Sequence, residues 1–228
     1  MCRNVQFTDK YLYFITKKLH RLIQVEIETL IGRIKDGEKH PEHHEEGKVI
    51  GVAVADFYVE SEDEIWMLYE DSTVEKHNNV DLSMKLLNPD YKIQDERTGR
   101  VESTAIAKCG NHIVAALHNG STRTLVYTLL DAKLNLKHLY MQLLEELGAC
   151  AHNILMCRKK GFTFVISLRY RNRVDFMIVA KSHLHPIQNS KWIGGGDEGP
   201  NHGMVWGREG EEVLIFGEKS IRSAKLQI

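Results

Sequence analysis

The sequence predicts an all-β fold assembled from about five repeats of about fifty residues. Three observations carry that reading. Short, strongly apolar runs of strand length recur at a nearly constant spacing along the 228 residues. Each is followed by a polar turn and a second apolar run. Amphipathic helical periodicity is scarce.

In chain order the paired runs are YLYFIT with RLIQVEIE, EIWMLYE with KHNNVDL, HIVAALH with TRTLVYTLL, FTFVISL with RVDFMIVA, and EVLIFGE with IRSAKLQI. Their first members begin at Tyr11, Glu64, His112, Phe162 and Glu212, so successive starts lie 53, 48, 50 and 50 residues apart. A third element precedes each pair: VQF, VAVADFYV, STAIAK, ILMC and MVWG. In the last three repeats the register is strict, with Ala105 and His112, Leu155 and Phe162, and Val205 and Glu212 each seven residues apart. The turns inside that interval, KCGN, RKKG and REGE, are polar, and each holds a glycine that adopts positive φ without steric cost. Three sequential antiparallel strands make a meander. The repeats run over residues 1–48, 49–100, 101–150, 151–200 and 201–228 of a single domain.

A fourth, outer strand has four candidates: LIGRIK, MKLLNP, LKHLYMQLLE and HPIQNSKWI. The third also carries a helical period. Leu136, Leu139, Tyr140, Leu143, Leu144 and Leu147 would line one face of a helix, with Gly148 as its C-cap. The repeat frame favours a strand there. Along the buried strands alternate residues face opposite sheets. Phe14, Trp66, Leu68, Val114, Ala116, Phe164, Ile166, Leu214 and Phe216 are therefore expected to divide between packing layers.

Units of three or four strands repeated every 40–50 residues are the signature of a β-propeller. In its strand, turn, strand order and its glycine-containing first turn the chain resembles the WD40-like propeller superfamily. The resemblance spans nearly the whole chain and is one of architecture. The Trp-Asp dipeptide and the Gly-His pair of that superfamily occur in no repeat. A sandwich or barrel of about ten to fifteen strands is the alternative arrangement of the same elements. The chain starts almost directly on an innermost strand, with MCRN before Val5, and stops on a third strand at Ile228. One blade is thus expected to lack its outer strand, leaving an incomplete ring or one completed by a partner.

Composition narrows the class. Lys and Arg number 30 against 31 for Asp and Glu, so net charge points to no partner. No apolar run approaches the ~20 residues that span a bilayer, and no membrane partner is expected. The N-terminal MCRNVQFTDKYLYFITKK has no apolar core followed by a cleavage site, so no signal peptide is expected. Cys2, Cys109, Cys150 and Cys157 form no CxxC pair and read as reduced thiols of a cytoplasmic or nuclear protein. Zinc ligation by Cys150 and Cys157 stays open on spacing alone.

The densest chemistry is HPEHHEE at residues 40–46, where His40, His43 and His44 alternate with carboxylates. It lacks the HExxH spacing, contains Pro41, and lies within KDGEKHPEHHEEGK between two strands. Zinc chemistry needs ligands held rigidly at about 2 Å, and a polar inter-blade loop does not supply that. The stretch is read as a solvated loop, with no metal and no cofactor expected. There is no GxSxG elbow, no Walker loop and no GxGxxG between a strand and a helix. GGGDEG at 194–199 is followed by no helix start that would cradle phosphate.

Charge segregates in the turns between second and third strands, KKLHR, EDSTVEK, NGSTR, RYRNR and GEKSIR. In a propeller these project from one face. They carry Lys17, Lys18, Arg21, Arg123, Arg169, Arg171, Arg173, Lys219 and Arg222, with Tyr170 inside the richest turn, while Glu70, Asp71 and Glu75 interrupt the series. Such a basic crescent suits an acidic protein patch. It equally suits phosphate contacts with base stacking, or is simple turn polarity. The functional expectation is a non-catalytic scaffold that mediates protein–protein interactions in a multiprotein complex, with other protein subunits as partners. Two further readings stand beside it. One is an RNA-contacting accessory subunit of an RNA-modifying or RNA-processing complex. The other is a metal-dependent enzyme using the His40–Glu46 cluster.

Overall fold

The computed structural model describes residues 2–16, 18–35, 47–86, 101–119, 124–143, 150–157, 163–169, 174–182, 185–186, 192–193, 201–206, 212–217 and 221–225. These residues are mainly β, with one short helix, and include three four-stranded antiparallel sheets. The chain divides into two compact units, Met1–Leu87 and Asn88–Ile228.

In the first unit, β1 (Cys2–Phe7), β2 (Tyr11–Thr16) and β3 (Leu22–Glu26) are followed by helix α1 (Ile27–Lys35) and then β4 (Lys48–Gly51). The strands pair in that order. The second sheet is β5 (Val54–Ser61), β6 (Glu64–Tyr69), β7 (Thr73–Lys76) and β8 (Asn79–Lys85), again paired sequentially.

Two details depart from the sequence reading. LIGRIK belongs to α1, and Lys48–Gly51 takes the outer-strand position instead. Ile27, Leu30, Ile31 and Ile34 fall at i, i+3, i+4 and i+7, Glu28 sits in the first turn, and Arg33 and Lys35 sit in the last. Both the apolar stripe and the charges favour a helix. The third strand falls earlier than expected: Thr73–Lys76, within the stretch EDSTVEK read as a turn, forms it, and the run KHNNVDL supplies the next turn and the start of the fourth strand, Asn79–Lys85. Asn78, at φ 61, turns the chain between them, and asparagine tolerates that left-handed conformation better than most residues.

The two sheets of this unit enclose a core of Tyr13, Ile15 and Leu22 from the first and Val54, Phe57, Ile65 and Met67 from the second. The continuous apolar runs YLYFIT and EIWMLY have a simple cause, because both faces of β2 and β6 are buried. Phe14 and Ile23 on one sheet, and Trp66, Leu68 and Val74 on the other, are buried on the faces away from this core. The Trp66 indole donates to Glu64 Oε1 at 3.1 Å, and Lys76 Nζ lies 5.8 Å from its ring, so its polar edge is satisfied. Gly51 is required by close approach: a Cβ there would lie 2.7 Å from Val54 Cγ2 and 3.0 Å from Met67 Sδ.

The first strands of the two sheets, β1 and β5, are joined through side chains. Gln6 Nε2 donates to the Phe57 carbonyl at 2.6 Å, while Gln6 Oε1 accepts the Val59 N–H at 2.8 Å. One amide thus copies the donor and acceptor pattern of a strand partner. Asn4, at φ 41, adds bonds from Nδ2 to the Asp56 carboxylate and to the Phe57 carbonyl.

In the second unit, β9 (Val101–Cys109), β10 (His112–Asn119), β11 (Thr124–Asp131) and β12 (Leu136–Leu143) form a four-stranded meander. The stretch with competing helical and strand patterns is therefore a strand. Its ladder with β11, from Thr124 opposite Leu143 to Leu130 opposite Leu136, overrides the helical period. Ile113 to Leu117 are fully buried. Ala105, Ala107, Ala115 and Ala116 are small and buried, and β13 (Cys150–Cys157) lies against β9 and β10. Small side chains permit that approach. Then β13 pairs with β14 (Thr163–Arg169), and β14 with β15 (Val174–Ser182). The short strands β16 (His185–Pro186) and β17 (Trp192–Ile193) both pair with β15. Finally β18 (Asn201–Trp206), β19 (Glu212–Gly217) and β20 (Ile221–Lys225) form a three-stranded sheet, and β13 neighbours β18.

Of the expected layer residues, Phe14, Trp66, Leu68, Val114 and Ala116 are buried. Leu214 is half-buried, and the side chains of Phe164, Ile166 and Phe216 lie outside the described set.

Candidate interaction face

At one end of the first unit three turns are joined. The turn between β2 and β3 is closed by Thr16 N–H to the Arg21 carbonyl at 2.9 Å and His20 N–H to the Thr16 carbonyl at 3.0 Å. Beside it runs the β4–β5 connection, Val52–Ala53, where Val54 N–H donates to the His20 carbonyl at 2.9 Å. The β6–β7 turn follows, with Glu70 N–H donating to the Ala53 carbonyl at 2.9 Å. A side-chain bond between His20 Nδ1 and Glu70 Oε1 crosses the same end.

These turns are also where the backbone is strained. His20, Ala53 and Ser72 sit at φ 45, 58 and 71, one in each turn. A left-handed non-glycine residue costs on the order of 1–2 kcal/mol and persists only where its surroundings fix it. Here bonds from Val54 N–H to the His20 carbonyl and from Glu70 N–H to the Ala53 carbonyl tie two of the three to a neighbouring turn. Ser72 is buried, donates its N–H to the Tyr69 carbonyl at 3.0 Å and accepts the Leu86 N–H at 2.9 Å.

The electrostatics follow from these contacts. Partial burial pushes the Asp71 carboxyl up, but hydrogen bonds from the Thr73 hydroxyl and N–H, together with nearby Lys85, outweigh it and hold the carboxyl below the ordinary range. Lys85 Nζ lies 3.7 Å away. Burial, then the charges of Glu75 and Asp71, push the Tyr69 phenol up to about 12. Of the three acids expected to break the basic series, Glu70 is engaged by His20 and Asp71 by Thr73 and Lys85, while Glu75 lies within β7.

Besides the exposed Asp71, the outward side chains include basic and aliphatic ones. Lys18 and Arg21 are exposed, and neither side chain has an ion-pair partner among the described residues. Leu19 is 58% exposed and Val52 59%. With Leu22 opposite Gly51, continuing the register sets Arg21 beside Val52.

Of the other residues singled out from sequence, Lys17, Arg123, Tyr170, Arg171, Arg173 and Lys219 lie outside the described residues. So do the candidate metal ligands His40, His43 and His44. Arg169 ends β14 and Arg222 lies in β20, with their side chains outside the described set. Of the stretch EDSTVEK only Glu70–Ser72 connect β6 to β7, because Thr73–Lys76 form the third strand. Among the described residues no group of three or more His, Cys, Asp or Glu side chains is placed to hold a metal ion. None of their helices is long and apolar enough to cross a membrane.

Sequence reasoning missed Leu19, Val52 and the bond between His20 and Glu70. A weak signal existed for Leu19, the only apolar residue in KKLHR. None existed for Val52, whose exposure depends on the tight turn after Gly51. No protein-family model and no curated protein sequence matches this chain.

Proposed function

We propose that this chain is a non-catalytic, propeller-like scaffold that mediates protein–protein interactions in a multiprotein complex. The observation that supports this best is the joined end of the first unit, where three turns hold each other through backbone bonds and leave cations and aliphatic side chains outward. A scaffold needs surface chemistry displayed on a fixed frame. Loops that donate and accept from one another lose little further entropy on binding, which favours affinity. Sequential antiparallel meanders, three of them four-stranded, are consistent with propeller blades. The step from that architecture to a scaffold is an analogy of fold.

The test is isolation of the tagged chain at its native expression level, followed by native mass measurement with and without nuclease. A defined stoichiometric complex with other polypeptides that survives nuclease is the expected result. Recovery of the chain alone, or association that nuclease abolishes, contradicts the proposal.

A further inference from the structure

The geometry points to a partner of particular chemistry at the joined end of the first unit: an acidic protein segment carrying aliphatic side chains, seated across Lys18, Leu19, Arg21 and Val52. This rests on the scaffold reading and specifies its partner.

Charge complementarity comes first. Two nearby carboxylates are already engaged, Glu70 with His20 and Asp71 with Thr73 and Lys85. Lys18 and Arg21 are left exposed with no acid of the described residues paired to them. An incoming carboxylate would therefore meet unshared cations and would not have to displace an internal partner. The second observation selects between two classes of anion. Leu19 and Val52 are each more than half exposed, Leu19 on the turn of those cations and Val52 on the β4–β5 connection bonded to it. Nucleic acid binding adds aromatic stacking platforms to its basic residues, and an aliphatic pair offers a base no such surface. Leucine and valine gain by covering apolar side chains of a peptide, the arrangement of an interface with an apolar centre and a charged rim.

The backbone supports the same reading. Leu19 precedes His20 and Val52 precedes Ala53, and both His20 and Ala53 are in the left-handed region. Their carbonyls accept from Val54 and Glu70. The two aliphatic side chains are therefore carried on turns whose paths are tied to each other, so their spacing is set before a partner arrives.

The experiment uses a displayed library of random twelve-residue peptides selected on the full-length chain. Selected peptides are then measured by fluorescence anisotropy on the wild type, on Leu19→Ser/Val52→Ser and on Lys18→Ala/Arg21→Ala, with oligouridylate as a second probe. The substitutions are on exposed turn side chains, and circular dichroism confirms that each variant folds. Enriched peptides are expected to combine Asp or Glu with Leu, Ile or Val, and to lose about tenfold in affinity on either double variant. Three results would overturn the inference. They are enriched peptides that lack that composition, peptides that bind both variants as they bind the wild type, and oligouridylate binding that depends on the cations while peptide binding does not. Native complex isolation from the same variants separates the two levels. A complex that persists in both variants leaves the scaffold standing and removes this surface from it, whereas a wild-type chain with no complex removes the scaffold itself.

Discussion

Gln6 shows how much one polar side chain contributes when it replaces a strand. Its amide satisfies the Phe57 carbonyl and the Val59 N–H together, so Gln6→Ala leaves two backbone groups of β5 in need of water. A loss of about 1–3 kcal/mol is expected in urea denaturation. Gln6→Glu is more diagnostic. At neutral pH its carboxylate keeps the acceptor and loses the donor, while in mild acid the protonated group donates again, so part of the lost stability should return as pH falls. A pH-independent deficit contradicts the two-way bond. Tyr69 gives a second test in the opposite direction. Its folded pKa of about 12 lies above the ordinary phenol value, so the folded chain keeps a proton that the unfolded chain releases. The stability this contributes is complete below about pH 10 and lost as pH rises through about 12. Tyr69→Phe should flatten that part of the alkaline profile, and an unchanged profile would assign it to other groups. Neither residue was legible in sequence, because a glutamine in a strand and a tyrosine at its end look the same whether or not a neighbouring sheet meets them.

Elements were read more readily than single contacts. The inner strands of every repeat were visible because each is a short continuous apolar run, and β6 shows why: Ile65 and Met67 face the core with the first sheet, while Trp66 and Leu68 are buried on the other side. Trp66→Ala should cost about 3–5 kcal/mol by thermal or chemical denaturation, and an unchanged midpoint would remove this register. Outer strands were harder to read. β12 carries a helical period and is a strand, whereas Leu30–Lys35 was expected as a strand and is helical. The difference lies in pairing. β12 has an eight-residue partner in β11, while the α1 segment carries its own dipole-matched charges at both ends. Local pattern alone does not contain that information.

For the whole molecule, each sheet of the described residues is built from consecutive strands, while β4, Lys48–Gly51, straddles the boundary placed after residue 48. The candidate face was legible in part. Sequence marked Lys18 and Arg21 through turn position and charge, but the joining of three turns and the exposure of Leu19 and Val52 follow from hydrogen bonds between residues 17 to 50 apart in the chain. The central claim is that a partner protein engages this end through acidic groups. Carbodiimide coupling of the native complex tests it most directly, since it joins lysine amines to carboxylates in contact without a spacer. Lys18, in the β2–β3 turn, and Lys10, in the β1–β2 turn at the other end of the same strands, are both exposed. The account predicts inter-protein cross-links from Lys18 to partner Asp or Glu, and few from Lys10. Cross-links confined to Lys10, or none from Lys18 in an intact complex, would contradict it.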